Sequence, residues 1–223
     1  MNKHVKKIMV SEEELLTTFG AKYAVHGQSA VFKAPISDMY YYEAHLGAHA
    51  IDVEFGDCVY WLSDDKQTVH LNRGPIRIES SHIATVIRGY MPENQTASII
   101  TETNLPYVNG CSSKQVFPPV RLGDPTIQVL KVPPHSSEQQ HHIHPTTRVV
   151  YVLSGTGFNV VGMEEKSVKT KLNPGDLIVL DKFSPHHFET EDDSLLVLPL
   201  HIFSSTPGEK HHPMFAGTHM IDK

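Results

Sequence analysis

The residues best suited to chemistry in this sequence are histidines, and they are clustered. Of the sixteen histidines in the 223-residue chain, six lie close together in sequence: His135, His141, His142, His144, His186 and His187. In an extended strand, residues two apart project from one face, so His142 and His144 can offer both imidazoles to one ion. His186, from a neighbouring strand, would complete a three-nitrogen face with open positions for water or substrate. The alternative is that His-x-His is two exposed polar residues on one strand face. Imidazole binds Fe, Zn, Ni and Cu alike, so these donors do not choose the metal.

The elements that must position these histidines are predicted to be short β-strands. One helix is expected, because Ser11 and Glu14 form a Ser-x-x-Glu capping box before an apolar stripe that ends at Gly20. Elsewhere, β-rich runs alternate with turn residues. These runs are 29–33, 50–55, 59–62, 68–71, 76–79, 83–88, 97–101, 126–132, 148–153, 158–161, 167–172, 176–180, 187–189 and 195–203. The pattern favours an all-β chain folded as a barrel, sandwich or jelly roll.

A weak internal repeat divides the chain into two β lobes. Residues 60–64 (YWLSD) resemble residues 151–155 (YVLSG), and residues 71–74 (LNRG) resemble residues 172–175 (LNPG). The second copy would carry a longer hairpin near residues 162–166. Chance similarity between two strand-turn-strand units is the competing explanation. If the repeat is real, the turn-rich stretch 104–124 holds the boundary, with lobes over 1–110 and 111–223.

The residues around the clustered histidines resemble the two sequence motifs of the cupin superfamily, which consists of double-stranded β-helix jelly rolls. The first family motif is Gly, five residues, His-x-His, three or four residues, Glu, six residues, Gly. His142, His144 and Gly155 match it. The second is Gly, five residues, Pro-x-Gly, two residues, His, three residues, Asn, which Gly175 and His186 match. The resemblance covers about 127–203 and implies a metal-binding cupin jelly roll there, preceded by a lobe that would be a degenerate cupin, as in a bicupin.

Arg148 is the most important departure from these motifs, because it stands where the family has its metal-binding Glu. Other motif positions are changed at Ser136, Asp181, Phe183 and Thr190. The remaining three-His set is similar to the iron centres of some thiol and diketone dioxygenases of the superfamily. A guanidinium cannot ligate a cation, so Arg148 needs an anionic partner. That partner could be a substrate carboxylate, which would make Arg148 a catalytic residue, or a structural acid such as Glu138 or Asp181.

A replacement fourth metal donor could come from the residues just before the first histidine pair. His135, Glu138 and Gln140 all precede His142. Gln140 is preferred, because it shares strand parity with His142 and His144. His141 and His187 should point to the opposite strand face and bind no metal.

The amino-terminal lobe should contain no metal site. By the repeat, its equivalents of the ligand positions and of Arg148 would be Ile51, Val53, Asp57 and Thr85. Apolar side chains at ligand positions suggest that this lobe serves in packing or in dimer contact.

Three classes of function remain open. The preferred one is a metal-dependent enzyme, an Fe(II) dioxygenase acting on a small anionic organic substrate. The second is an isomerase or lyase that uses Zn, Ni or Mn as a Lewis acid. The third is a non-catalytic cupin that binds or senses a small molecule, because one fold hosts many chemistries.

Composition narrows the partners. The chain has 19 Lys and Arg residues against 25 Asp and Glu residues. Its net charge of −6 gives no positive electrostatic field that would attract nucleic acid. Only three apolar residues follow the basic residues 3–7, and no run approaches the roughly 18 of a membrane span. Two cysteines cannot build a disulfide scaffold. A cytoplasmic protein without membrane partners is expected, and it should be a homodimer because cupin-like sheets commonly pair through edge strands.

Overall fold

Eighteen β-strands and one short α-helix make up the described part of the chain. The computed structural model describes residues 11–34, 41–99, 103, 105–106, 108–120, 123–163 and 166–203. The elements are α1 (Glu12–Thr18), β1 (Ala21–Ala24), β2 (Ala30–Lys33), β3 (Tyr41–Leu46), β4 (His49–Val53), β5 (Asp57–Leu62), β6 (Thr68–Arg73), β7 (Ile76–Ser80), β8 (Ile83–Arg88), β9 (Gln95–Ser98), β10 (Leu105–Pro106), a 3-10 turn (Val108–Gly110), β11 (Ser112–Phe117), β12 (Thr126–Val132), β13 (Thr146–Gly155), β14 (Gly157–Val161), β15 (Val168–Leu172), β16 (Leu177–Leu180), β17 (His186–Glu189) and β18 (Leu195–Phe203). The predicted all-β fold class is confirmed.

The predicted helix and most predicted strands are present. Ser11 Oγ accepts from the Glu14 N–H at 3.2 Å, and the Glu14 carboxylate accepts from the Ser11 N–H at 2.9 Å, which completes the capping box. Four strands that the sequence did not predict are also present: β1, β3, β10 and β11. Residues 100–101 of the expected strand 97–101, and the basic residues 3–7, lie outside the described residues. Among the described residues, no helix has the length and apolar character to cross a membrane.

The carboxyl-terminal lobe is a jelly-roll sandwich of two antiparallel sheets. One sheet has the order β1-β16-β13-β18-β12-β11-β10, and the other has the order β15-β14-β17. Along β13, Val150 and Val152 enter the core between these sheets, together with Phe188 from β17. Alternation sends Val149 and Tyr151 to the other face, which packs on the amino-terminal lobe.

The amino-terminal lobe repeats this strand arrangement with one hairpin fewer. Its strand order β3-β8-β5-β6 corresponds to β12-β18-β13-β16, and its second sheet is the pair β4-β7. The β14–β15 hairpin has no counterpart, so the extra length in the second lobe is a whole hairpin rather than a longer turn. The repeat is therefore visible in the topology, while descent of the first lobe from a cupin stays a prediction.

The two lobes share one hydrophobic core. Tyr42 and Leu62 from the first lobe pack in the same cluster as Val149 and Leu198 from the second. In addition, β1 pairs antiparallel with β16, with Ala21 opposite Leu180. The first lobe thus contributes a strand to the sheet of the second, and division of the chain at residues 110 and 111 stays a prediction.

Candidate metal centre

The first two histidines of the cluster lie beside β17 on a stretch that is only briefly extended. His142 and His186 exchange both backbone hydrogen bonds, at 3.1 and 2.9 Å, in an isolated bridge. No regular strand continues through His144, because Pro145 has no N–H to continue a ladder. Instead, the His144 carbonyl accepts from the Phe183 N–H at 2.7 Å. Strand β17, which carries His186, and the loop before it therefore hold the backbone of His142 and of His144.

The three imidazoles converge. One ring nitrogen from each of His142, His144 and His186 lies within 4.8 Å of the other two, and the ring centroids are 4.5 to 5.6 Å apart. Such a group can hold a metal ion. The structure thus brings together the three histidines that the spacing singled out.

Backbone carbonyls fix the tautomers of two of these rings. His142 Nδ1 lies 2.7 Å from the Gln140 carbonyl, and His186 Nδ1 lies 2.7 Å from the Ser184 carbonyl. A carbonyl only accepts, so each Nδ1 carries the hydrogen and each Nε2 keeps its lone pair. Nε2 of His142 and of His144 is buried without a hydrogen-bond partner among the described residues. A buried Nε2 lone pair without a donor, on a ring held by a carbonyl as in His142, fits a bound cation.

Burial keeps the imidazoles neutral. It lowers the pKa of His144 to about 3 and of His186 to about 2, and it also lowers the pKa of His142. The positive charge of Arg148 lowers all three further. Neutral imidazole is the form that ligates a metal.

Glu138 is the acid that accompanies Arg148. Both residues are buried, and Glu138 Oε1 lies 3.8 Å from Arg148 Nη1 and 3.7 Å from His142 Nε2. Burial raises the pKa of Glu138 to about 7, against the opposing effect of Arg148. Arg148 Nη1 also lies 3.0 Å from His186 Nε2. The other expected acid, Asp181, pairs instead with Lys22 at 3.3 Å.

The proposed fourth donors differ in their surroundings. Gln140 is exposed, and its recorded contact with the histidine group is through its backbone carbonyl. His135 is exposed and lies 3.7 Å from Asp192. A ligand role for Gln140 stays a prediction, while Glu138 is the buried candidate beside the group.

His141 and His187 form a separate pair. Their Nδ1 atoms lie 2.8 Å apart, and His141 is exposed. His187 also contacts the carboxylate of Glu189 at 3.3 Å. The two residues adjoin proposed ligands in sequence, yet they lie outside the three-His group. That they bind no metal stays a prediction.

A cavity of about 290 Å³ opens beside the three-His group. Its polar lining includes Glu138, His144 and Arg148, and also Gln128 and His201, which the sequence did not single out. Gln128 Nε2 donates to His201 Nε2 at 3.2 Å, and burial lowers the pKa of His201 to about 3. The parity of the two predicted strands could have marked both residues as inward-facing, but the pairing of those strands could not be known. The cavity can accept a small organic molecule.

The amino-terminal lobe contains apolar residues at the corresponding place. Ile51 pairs with Ile78 across β4 and β7, as His142 is bridged to His186. Val53 lies in the same buried apolar cluster. The expected match of Thr85 to His186 is wrong, because Thr85 lies in β8, which corresponds to β18. The longer hairpin of the second lobe shifted that sequence comparison by one strand.

Comparison with known proteins agrees with this geometry. The model of the Cupin domain family matches residues 128–203. Acireductone dioxygenase of Bacillus cereus is 35% identical over 71 residues, which is 31% of this chain and 41% of that protein. The Bacillus mycoides acireductone dioxygenase is 34% identical over the same shares. The chain thus spans about two fifths of the length of these curated relatives.

A solved structure shows the same fold over a larger part of the chain. Streptomyces albus HEPD, with its substrate 2-hydroxyethylphosphonate and Fe(II) bound, superposes with a TM-score of 0.54 at 8% identity. The match covers 85% of this chain and 77% of that chain. At such low identity the likeness concerns the fold alone. Together, the family match and the jelly-roll topology identify residues 128–203 of this chain as a cupin domain.

Proposed function

We propose that this chain is a metal-dependent cupin enzyme in which His142, His144 and His186 hold one divalent cation. The observation that carries the proposal is the set of three converging, neutral imidazoles. Two rings are held by backbone carbonyls, and two buried Nε2 atoms have no hydrogen-bond partner in the part of the chain that the structure describes. Fe(II) is the favoured ion, with Zn, Ni or Mn as alternatives, since imidazole nitrogen suits several of these metals.

The proposed reaction is a dioxygenation of a small anionic organic molecule. The similarity to acireductone dioxygenases over 71 residues supports this class. Bound Fe(II) would supply the site for O₂ activation. The chain's own residues would bind and orient the substrate. The Arg148 guanidinium would bind its anionic group, and the Gln128–His201 pair, beside Arg148 in the same sheet, would bind a polar group. Leu130, Phe188 and Val197 line the cavity and would exclude water.

A non-catalytic binding or sensing function is the second candidate. The hydrogen bond between Arg148 and His186 favours it, because a guanidinium beside the imidazoles can replace the charge of a metal in holding an anion. The isomerase or lyase alternative differs from the dioxygenase in the metal that it needs.

Metal stoichiometry tests the proposal. Elemental analysis of the purified protein after loading with Fe(II) under nitrogen should give about one ion per chain. His142→Ala, His144→Ala and His186→Ala should each lose most of it, because two imidazoles are a poor site for these ions.

Two matched variants serve as controls. His141→Ala removes an adjacent imidazole outside the group and should retain full metal content. Gln140→Ala should also retain it if the carbonyl is that residue's contribution, whereas a loss would make Gln140 a ligand. Full metal content in His142→Ala together with loss in His141→Ala would refute the proposed ligand set.

A further inference from the structure

Arg148 contacts Nε2 of His186, which is the atom that would ligate a cation. Its Nη1 lies 3.0 Å from His186 Nε2. Because His186 Nδ1 donates its hydrogen to the Ser184 carbonyl, Nε2 holds the lone pair and accepts from the guanidinium. One lone pair can accept this hydrogen bond or ligate a cation, but not both. The Arg148 hydrogen bond and the third metal bond are therefore mutually exclusive.

A second acceptor for the same guanidinium lies next to it. Glu138 Oε1 is 3.8 Å from Arg148 Nη1, so a small movement of the guanidinium would make a hydrogen bond. Glu138 is 3% exposed, and its Oε1 has no hydrogen-bond partner among the described residues. A bond between two charged groups is stronger than one to a neutral imidazole. The pocket therefore contains two alternative places for one guanidinium.

We propose that Arg148 competes with the metal for His186, and that Glu138 receives the Arg148 guanidinium when a cation binds. This proposal rests on the proposed function. Arg148 stands at the family's ligand position as a positive charge that limits how tightly the centre holds its metal. After moving to Glu138, the guanidinium remains in the cavity wall beside the three imidazoles. It is then placed to bind an anionic group of the substrate.

Titration with Co(II), followed by its visible absorption in competition with a chelator of known affinity, measures this effect without any turnover. Arg148→Gln should bind Co(II) roughly 10- to 100-fold more tightly than wild type, which is the range expected when a charge-assisted hydrogen bond no longer has to be broken. Arg77→Gln removes an exposed arginine paired with Asp52 and should leave the affinity unchanged. Glu138→Gln should bind more weakly than wild type, because the displaced guanidinium loses its charged acceptor.

The double variant Glu138→Gln/Arg148→Gln separates competition from simple charge. It removes both buried charges together, so it avoids the uncompensated carboxylate that could unfold Arg148→Gln. Competition for the lone pair predicts that the double variant still binds Co(II) more tightly than wild type. A return to the wild-type affinity would overturn the proposal, because the tightening would then come from the freed carboxylate alone.

Failure of this proposal is distinguishable from failure of the proposed function. If wild type binds one Co(II) and the single and double variants bind equally tightly, competition is refuted and the metal centre stands. If neither wild type nor the variants bind Co(II), both are refuted. If the variants bind and wild type does not, Arg148 is shown to block the third ligand.

Discussion

At the scale of single residues, main-chain carbonyls orient the candidate metal centre. The Gln140 and Ser184 carbonyls each hold an Nδ1–H, so the two Nε2 atoms face inward whatever side chains stand at positions 140 and 184. Metal-binding histidines commonly have such a partner on the second ring nitrogen. The backbone around the bridge between His142 and His186 therefore determines the ring orientations, and substitution at Gln140 need not disturb them.

The effect of burial on a histidine pKa can be tested at His201, which lines the cavity but is outside the three-His group. Its pKa in the folded protein is about 3, whereas an unfolded histidine titrates near 6.5. The unfolded state thus binds the extra proton, so stability is full above about pH 6.5 and is lost as the pH falls from there toward 3. His201→Gln should reduce the loss of unfolding free energy between pH 7.5 and pH 5.5 by about 1 kcal/mol. Urea unfolding of chelator-treated protein at both pH values measures this, and parallel losses in the two proteins would contradict it.

At the scale of elements, the motif glycines have a visible reason. Gly155 ends β13 with a φ of +76°, and a Cβ there would lie 1.8 Å from the Ser194 carbonyl oxygen. Only glycine permits both this backbone conformation and this close approach to the start of β18. Phe183 replaces a motif glycine and keeps the left-handed backbone, with a φ of +61°, while its side chain is exposed.

Gly155 and Gly89 make a matched pair for a stability test. Both have a φ of +76°, but a Cβ at Gly89 would meet nothing within 4 Å. Gly89→Ala should lower the free energy of unfolding by about 1–2 kcal/mol, the cost of the backbone conformation alone. Gly155→Ala should lower it by at least about 2 kcal/mol more, because the Ser194 backbone must move. Equal losses in urea denaturation would show that the contact with Ser194 is relaxed without cost.

The strands that the sequence could predict form from their own residue composition, whereas those it could not predict form because a neighbouring strand pairs with them. Strands 83–88, 126–132 and 195–203 have dense β-branched and apolar residues, and their bounds agree with β8, β12 and β18. By contrast, β1 has four residues, and β11 is mostly polar within a turn-rich stretch; both are strands because β16 and β12 pair with them. Such pairing is a tertiary property that local composition does not report.

The site shows the same limit. Spacing and parity brought His142, His144 and His186 together, because the family motifs and a two-residue period suffice for that. For the partner of Arg148, the sequence left open a substrate carboxylate or a structural acid such as Glu138 or Asp181. The choice between the two acids depends on where Lys22 of β1 lies. The cavity residues Gln128 and His201 depend in the same way on strand register.

At the scale of the whole molecule, the shared core predicts one cooperative unit. Trp61, the single tryptophan, lies in the first lobe, where it stacks on His70 and donates to Asn72 at 2.9 Å. Its fluorescence should change at the same urea concentration as the far-ultraviolet circular dichroism of the whole chain, because neither lobe can open without exposing the common core. Two separate midpoints would instead support independent lobes divided at residues 110 and 111.

The edges of the large sheets bear on assembly. β1 covers the outer edge of β16, so the predicted homodimer cannot form by pairing along that edge while β1 is in place. The cytoplasmic location and the homodimer both stay predictions at this scale.

The neutral state of the three imidazoles has a consequence for the environment in which the centre can work. An ordinary trio of histidines with pKa values near 6.5 would lose about sixfold in metal affinity between pH 7.5 and 6.5, because protons would compete for the same nitrogens. In this chain burial lowers the pKa of all three imidazoles, so proton competition for these nitrogens is weaker. Over that interval metal retention would therefore depend less on the imidazoles than on Glu138, whose pKa of about 7 lies inside it and whose carboxylate is proposed to receive the guanidinium, while the charge of Arg148 itself does not vary with pH.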